Sequence, residues 1–245
     1  MLKNKLKYLL IKAALVFTLT ISVLIPNLGV HKTYANPNVN NIQQVQQIKQ
    51  EYDVLIYHSH THEDFKDGST IVDAGNDLAS KLEKKGLRVK VVNDIFDSNY
   101  NRSYYASREF LKTELQINSY KLMIDMHRDS IAGDKVVTGI DDNGNPISKT
   151  MFVVTTDSPN YQENKKVVDE LKNSIDKFGK DMTRNHWEYR KGTSFFNSDI
   201  GNKDGNGNVI LIEQGFQTND SLSVRRSNTY LCSAIAQYIN DNFKN

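Results

Sequence analysis

Three histidines and one glutamate are clustered in the sequence HSHTHE, residues 58–63, directly after an apolar run. Imidazole nitrogens and carboxylate oxygens are common zinc ligands, and a catalytic zinc site takes three protein ligands and keeps one position open. His60 and Glu63 can supply two ligands from one turn, and His127, in the sequence IDMHRDS, can supply the third. The spacing therefore predicts a zinc (Zn²⁺) site made by His60, Glu63 and His127.

Two other histidines of this cluster are alternative participants. His58 and His60 share a face if strand alternation continues to that point, so His58 can replace His60 as a ligand. The HxxE spacing favours His60. His62 lies beyond the predicted strand end, where it is either a substrate contact, an extra ligand or a solvated side chain.

Amide hydrolysis at such a site also needs a carboxylate that takes a proton from water and passes it to the leaving amine. Glu213 is the candidate because it stands in the apolar run VILIEQG, where a buried glutamate without a function would be costly. The same residue ends a near-match to a calcium loop that starts at Asn202. We favour a tight turn followed by a strand, because the first position is not Asp and β-branched residues follow Gly207.

The HRD segment offers two supporting side chains. Asp125 precedes His127 by two residues, so it either orients the imidazole as a hydrogen-bond acceptor or is an ordinary buried polar residue. Arg128 either binds a substrate carboxylate or an oxyanion, or pairs with Asp129. His186 has no partner motif and is expected at the surface or in a groove.

Strand-like and helix-like patterns alternate along the chain. Five apolar segments are predicted as strands, at residues 53–57, 87–93, 121–127, 150–156 and 208–214. Four amphipathic segments are predicted as helices, at residues 71–82, 103–116, 161–178 and 223–243. This alternation predicts a three-layer α/β fold whose mostly parallel or mixed sheet is flanked by helices on both faces.

Ligands of such sheets bind beyond the carboxyl ends of the strands. Residues 58–63 follow the first predicted strand, His127 ends the third, and Glu213 lies near the end of the fifth. The predicted topology therefore brings all of them to one rim. This makes a functionless surface cluster of histidines the weaker interpretation.

The first 35 residues have the pattern of a secretory signal. Four lysines, of which Lys12 is the last, precede the uncharged run Ala13–Ile25, and small residues follow near Thr33–Ala35. A spanning helix needs about 20 apolar residues, so the short run favours cleavage over an uncleaved anchor. The protein is expected to be secreted or at the cell envelope, and membrane-anchored if the signal is not cleaved.

The rest of the chain is long enough for one domain with a full core. Residues 1–35 are predicted as the signal, residues 36–50 as a polar linker and residues 51–245 as a catalytic domain. The signal holds five of the 31 Lys and Arg residues and none of the 29 Asp and Glu residues, so the rest carries a net charge of −3. Nothing in this charge indicates nucleic acid as a partner, and the single cysteine excludes an internal disulfide.

Four motifs resemble the stage II sporulation protein P family in their order and rough spacing. They are LIYHSHTHEDF, NYNRSYYASREFL, MIDMHRDS and LIEQGFQTN, and the resemblance spans residues 52–243. That family resembles the zinc-dependent N-acetylmuramoyl-L-alanine amidases in fold, so the fold is expected to be amidase-like or zinc-carboxypeptidase-like. The resemblance implies an amidase-like domain that cleaves the amide between stem peptide and muramic acid in peptidoglycan, with stem-peptide cross-links as a second target.

The resemblance also implies roles for individual residues and partners. His60, Glu63 and His127 would hold zinc, Glu213 would be the catalytic acid and base, and a lytic transglycosylase would be a protein partner. His62 departs from the family pattern, which has a serine-type residue there, and Gln214 stands in place of valine. A vegetative or germination role is the alternative to sporulation. A zinc carboxypeptidase and a non-catalytic metal-binding or wall-binding module are the alternative functions.

Overall fold

The computed structural model describes residues 49–93, 96, 99–131, 133–185, 187–189, 197–203 and 205–243. The predicted signal, nearly all of the predicted linker and His186 lie outside these residues. No helix within the described ranges is long and apolar enough to cross a membrane.

The described part of the chain contains nine strands and four α-helices. The strands are β1 (Gln50–Tyr57), β2 (Val89–Val92), β3 (Asn118–Asp129), β4 (Thr138–Asp141), β5 (Pro146–Ser148), β6 (Thr150–Thr155), β7 (Gly179–Lys180), β8 (Trp187–Tyr189) and β9 (Asn208–Phe216). The α-helices are α1 (Ile71–Lys84), α2 (Ser103–Ile117), α3 (Tyr161–Ile175) and α4 (Ser221–Phe243). Short 3₁₀ turns occupy Tyr100–Arg102 and Asp176–Phe178.

Six strands form the central sheet in the order β2-β1-β3-β9-β6-β8. The pairs among β2, β1, β3 and β9 are parallel, and β6 runs antiparallel to β9. The sheet is therefore mixed and mostly parallel. The five predicted strands all belong to it, and the predicted fold class is confirmed.

The second half of β1 is buried on both faces because helices cover both sides of the sheet. Val54 and Ile56 pack into the core that contains apolar residues of α1, α3 and α4. Leu55 and Tyr57 pack on the opposite face, in a cluster with Leu111 of α2. This burial explains why β1 reads as a continuous apolar run rather than an alternating one.

Helix α1 connects the fold to the histidine cluster. Its N-cap residue, Thr70, accepts a hydrogen bond from the Asp73 backbone N–H at 3.2 Å, and the Asp73 carboxylate accepts one from the Thr70 N–H at 2.8 Å. This capping box fixes the start of the helix. At the same point the Ile71 N–H donates to the Glu63 backbone carbonyl at 3.0 Å. The turn that carries Glu63 is thus tied to the first residue of α1.

A second, three-stranded antiparallel sheet in the order β5-β4-β7 was not among the predicted elements, and neither was β8. These strands have two to four residues each, too few for a period of two to be read from the sequence. The predicted helix at 161–178 ends as an α-helix at Ile175 and continues as a 3₁₀ turn to Phe178.

Candidate metal centre and active site

The carboxyl ends of β1, β3 and β9 meet at one edge of the sheet, as the sequence predicted. The loop with His60 and Glu63 leaves β1 after Tyr57, and Tyr57 is the register partner of Asp125 in β3. His127 in β3 is in turn the register partner of Glu213 in β9. Register partners of adjacent strands point to the same face of a sheet, so the imidazole and the carboxylate project together.

His60, Glu63 and His127 come together as one group at this edge. One ligand atom from each residue lies within 4.8 Å of the others. The Glu63 Oε1 atom is 3.4 Å from the Nδ1 atom of His60 and 3.4 Å from the Nδ1 atom of His127. Both imidazoles are buried.

The donor set fits zinc. Zinc–ligand bonds of about 2.0–2.2 Å at tetrahedral angles place neighbouring ligand atoms about 3.3 Å apart. The two distances from Glu63 to the imidazole nitrogens are close to that value. Two neutral nitrogens and one carboxylate are a known set for catalytic zinc, with one position left for water.

Asp125 and Ser59 contact the Nε2 side of the His127 ring. The His127 Nε2 atom lies 3.0 Å from Asp125 Oδ1 and 2.9 Å from Ser59 Oγ. Ser59 also donates to the Asp125 carboxylate, from its backbone N–H at 2.9 Å and from its hydroxyl at 2.6 Å. These contacts at Nε2 orient the ring so that Nδ1 faces Glu63, where it is placed to bind a metal.

Neighbouring charges and hydrogen bonds favour the ionised form of the Glu63 carboxyl group. Burial raises the pKa of this carboxyl, but the charge of His127, hydrogen bonds from both histidines and the Arg128 N–H at 2.8 Å outweigh burial and lower the pKa to about 2. Burial lowers the pKa of His127, but the charges of Asp125 and Glu63 raise it well above its ordinary value. The site thus attracts positive charge.

Glu213 behaves differently from Glu63. Burial is the main cause that raises its pKa to about 7, and the negative charges of Glu63 and Asp129 add to the effect. Its Oε2 atom is buried and has no hydrogen-bond partner among the described residues. Two carboxyl groups of one site therefore have pKa values far apart, which is the usual mark of separate chemical roles.

Two tyrosines of the site were not singled out from the sequence. The Tyr100 ring stacks on the His60 ring with centroids 3.9 Å apart and planes inclined by 13°. The Tyr104 ring meets His60 edge-on at 4.8 Å and stacks on His127 at 5.9 Å. The SYYAS segment that carries Tyr104 has no metal-ligand pattern, so only its place in the family motif could have marked it.

His58 and His62 lie outside the three-ligand group. An ideal Cβ atom on Gly75 of α1 would lie 2.3 Å from His58 Nε2, so His58 packs against α1. His60 instead contacts tyrosines, so the expectation that His58 and His60 share a face was wrong. The physical reason is that β1 ends at Tyr57 and alternation stops there. His62 is exposed.

In the HRD segment, Arg128 does not form the ion pair with Asp129 that was one of the two alternatives for its role. Arg128 Nε donates to the Asp64 carbonyl at 2.9 Å. Asp129 forms its ion pair with Arg184, at 2.5 Å, and the Arg184 guanidinium lies over the Phe216 ring. Arg128 is thus anchored beside Glu63 and not paired with Asp129.

Comparisons with known proteins give a consistent result. The family model described as stage II sporulation protein P matches residues 27–236. The stage II sporulation protein P of Bacillus subtilis (strain 168) is 31% identical over 152 residues, which cover 62% of this chain and 34% of that relative. The chain therefore matches about a third of the length of this relative.

Solved structures are similar in fold. Cwp6 from Clostridium difficile has a TM-score of 0.50 and 14% identity, over 80% of this chain and 30% of that chain. The N-acetylmuramoyl-L-alanine amidase from Clostridium difficile 630 has a TM-score of 0.49 and 16% identity, over 80% of this chain and 100% of that chain. At these identities the likeness concerns the fold alone.

Proposed function

This chain belongs to the stage II sporulation protein P family, and we propose that it is a zinc-dependent peptidoglycan hydrolase of the cell envelope. Its main target would be the amide between N-acetylmuramic acid and L-alanine, with stem-peptide cross-links as a second target. The family membership supports the substrate class. The His60, Glu63 and His127 group, with Glu213 on the adjacent strand, supports amide hydrolysis.

One observation carries the proposal. Glu213 stands on the strand next to His127, its Oε2 atom is buried without a hydrogen-bond partner among the described residues, and burial raises its pKa to about 7. A general acid and base works best when its pKa lies near the working pH. A site that only stored metal would have no use for such a group beside its ligands.

The proposed roles follow from these positions. His60, Glu63 and His127 would hold zinc, which supplies Lewis-acid activation of water and of the scissile carbonyl. Glu213 would accept a proton from the attacking water and donate it to the leaving amine, so that its carboxylate is restored at the end of the cycle. Arg128, anchored by Asp64 and by its N–H bond to Glu63, would bind a carboxylate of the stem peptide.

We extend the proposal to the setting of the reaction. A secretory signal in residues 1–35 would deliver the domain to the wall, and residues 36–50 would link it to that signal. A lytic transglycosylase that cuts glycan strands would be the matching partner.

Digestion of purified sacculi tests the proposal. Zinc-loaded protein should release free stem peptides with an L-alanine amino terminus, identified by mass spectrometry, and a chelator should abolish the release. Release of single carboxy-terminal residues would indicate a carboxypeptidase. Intact sacculi, including sacculi pre-cut by a lytic transglycosylase, would refute the hydrolase proposal and favour a binding module.

A further inference from the structure

Tyr100 is placed at the site in a way that the proposed hydrolysis does not explain. One face of its ring is covered by the His60 imidazole at 3.9 Å. The side chain is nevertheless 63% exposed, so the other face is open to solvent. An exposed aromatic ring that stacks on a proposed metal ligand is positioned to meet the substrate.

The backbone that carries Tyr100 is held in place. The Ser103 hydroxyl donates to the Tyr100 carbonyl at 2.8 Å, and Ser103 itself is fully buried. The Arg102 N–H donates to the Asn99 carbonyl at 2.8 Å, closing the same 3₁₀ turn. A ring on such a turn needs little ordering when a ligand binds.

We infer that the outer face of Tyr100 binds the pyranose ring of the muramic acid residue whose amide is cleaved. This inference rests on the proposed function. It identifies the muramic acid ring as the part of the substrate that Tyr100 recognises. Stacked groups lie about 3.5–4 Å apart, so a ligand on the outer face lies roughly 7–8 Å from the His60 ring. The scissile carbonyl is joined to the sugar ring by the short lactyl ether, so a muramic acid ring stacked on Tyr100 keeps that carbonyl on the side of the proposed metal ligands.

The chemistry of the ring favours the sugar over the stem peptide. The face of an aromatic ring is negative, and the C–H groups of a pyranose are weakly positive. A carboxylate of the stem peptide would be repelled by that face. Such a carboxylate is better matched by the guanidinium of Arg128, whose Nε donates to the Asp64 carbonyl while the Arg128 backbone N–H donates to Glu63.

The test compares two ligands that differ only in the sugar. They are N-acetylmuramoyl-L-alanyl-D-isoglutamine and D-lactoyl-L-alanyl-D-isoglutamine, which keep the same amide. Their dissociation constants are measured by calorimetry on the zinc-loaded full chain with Glu213→Gln, where neither is consumed. We expect the sugar to tighten binding about 3- to 10-fold, which is the range of one aromatic contact.

The variants isolate Tyr100. Tyr100→Ala should remove the advantage of the sugar-containing ligand and leave the affinity for the lactoyl peptide within about twofold, and Tyr100→Phe should keep the advantage. Tyr105→Ala is the matched control, because Tyr105 is 60% exposed and lies on the adjoining helix. Zinc content is measured for each variant.

Two results would overturn the inference. One is an equal loss of affinity for both ligands in Tyr100→Ala, which would mean that Tyr100 acts through the metal site. The other is no advantage of the sugar in the parent protein. Turnover by wild-type protein is measured separately, so Tyr100-dependent sugar binding without cleavage would refute the hydrolase proposal and leave the sugar site standing.

Discussion

His127 and Glu213 are register partners in the adjacent parallel strands β3 and β9. Their side chains project from the same face at the same height, so the spacing between a proposed metal ligand and the proposed acid and base is fixed by backbone hydrogen bonds of the sheet. A site on strands is held more precisely than one on loops. The loop with His60 and Glu63 completes it from β1, and its position depends on the capped start of α1.

The role of Glu213 leads to the first prediction. Glu213→Gln keeps the shape of the side chain but removes proton transfer, so kcat should fall by about 100- to 10,000-fold. Zinc content, measured by mass spectrometry of the metal, should stay the same. Glu109→Gln, at an exposed position on α2, is the matched control. A Glu213→Gln enzyme with full turnover would show that another group transfers the proton.

A second prediction separates the two histidines of the loop. His60→Gln should weaken zinc binding by more than about 100-fold, since the loss of a ligand exceeds the effect of losing an outer contact. His58→Gln should leave zinc affinity nearly unchanged because His58 packs against Gly75. Competition with a coloured chelator measures both affinities. The opposite order would make His58 the ligand.

A third prediction concerns the acceptor behind His127. Asp125 is fully buried and receives hydrogen bonds from Ser59 and from the imidazole. Asp125→Asn should lower zinc affinity by about 10- to 100-fold, because the amide no longer fixes the tautomer in which Nδ1 is free to bind metal. Ser59→Ala should give a smaller loss in the same assay. Unchanged affinity in both variants would mean that the ring is held by packing alone.

The sequence predicted the central sheet and its helices well because their signals are local. Apolar runs marked β1, β3 and β9, and spacings of three and four marked α1 and α4. The rim followed from the rule that ligands bind at the carboxyl ends of parallel strands. The sequence alone therefore predicts that His60, Glu63, His127 and Glu213 lie at one edge of the sheet.

Other features depend on contacts that leave no periodic signal. Ser59 contacts Asp125 and Tyr100 contacts His60 across long sequence separations, and neither residue type suggests a metal site. The expectation that His60 shares the face of His58 was wrong because β1 ends at Tyr57 and His60 lies in the loop beyond it. The strands β4, β5 and β7 are too short for an alternation to be recognised.

A fourth prediction concerns stability and pH. The buried Glu114 carboxylate accepts hydrogen bonds from Lys90 at 2.5 Å, from Asn118 at 2.6 Å and from the Tyr120 hydroxyl. Burial raises its pKa, but these bonds outweigh burial and lower it. A folded-state pKa below the unfolded value means that the stabilisation is present at neutral pH and is lost as the pH falls below about 4.

Glu114→Gln should therefore lower the free energy of unfolding by about 1–3 kcal/mol at pH 7. The difference from wild type should shrink at pH 3, because this glutamate is protonated in the unfolded chain there and the unfolded state gains stability. Urea unfolding at the two pH values measures it. Glu109→Gln on the same helix should change little at either pH, since its pair with Lys112 is exposed. An equal deficit at both pH values would contradict the charge-based account.

A fifth prediction concerns the contact between α1 and His58. Alanine normally stabilises a helix interior relative to glycine by about 1 kcal/mol. At Gly75, however, a Cβ atom would lie 2.3 Å from Nε2 and 2.6 Å from Cε1 of His58, which is fully buried and has little room to move. Overpacking of this kind costs about 1–3 kcal/mol, so Gly75→Ala should lower the free energy of unfolding.

A double-mutant cycle decides whether the imidazole is the cause. His58→Ala should also destabilise the protein, since it leaves a cavity. In the double variant the methyl group introduced by Gly75→Ala meets no ring, so the free energy of unfolding should exceed the additive expectation by about 0.5–3 kcal/mol. Urea unfolding of the four proteins measures the coupling. Additive losses would mean that the methyl group introduced at position 75 does not clash with the His58 ring. They would also remove the evidence that glycine is needed at this position to accommodate His58.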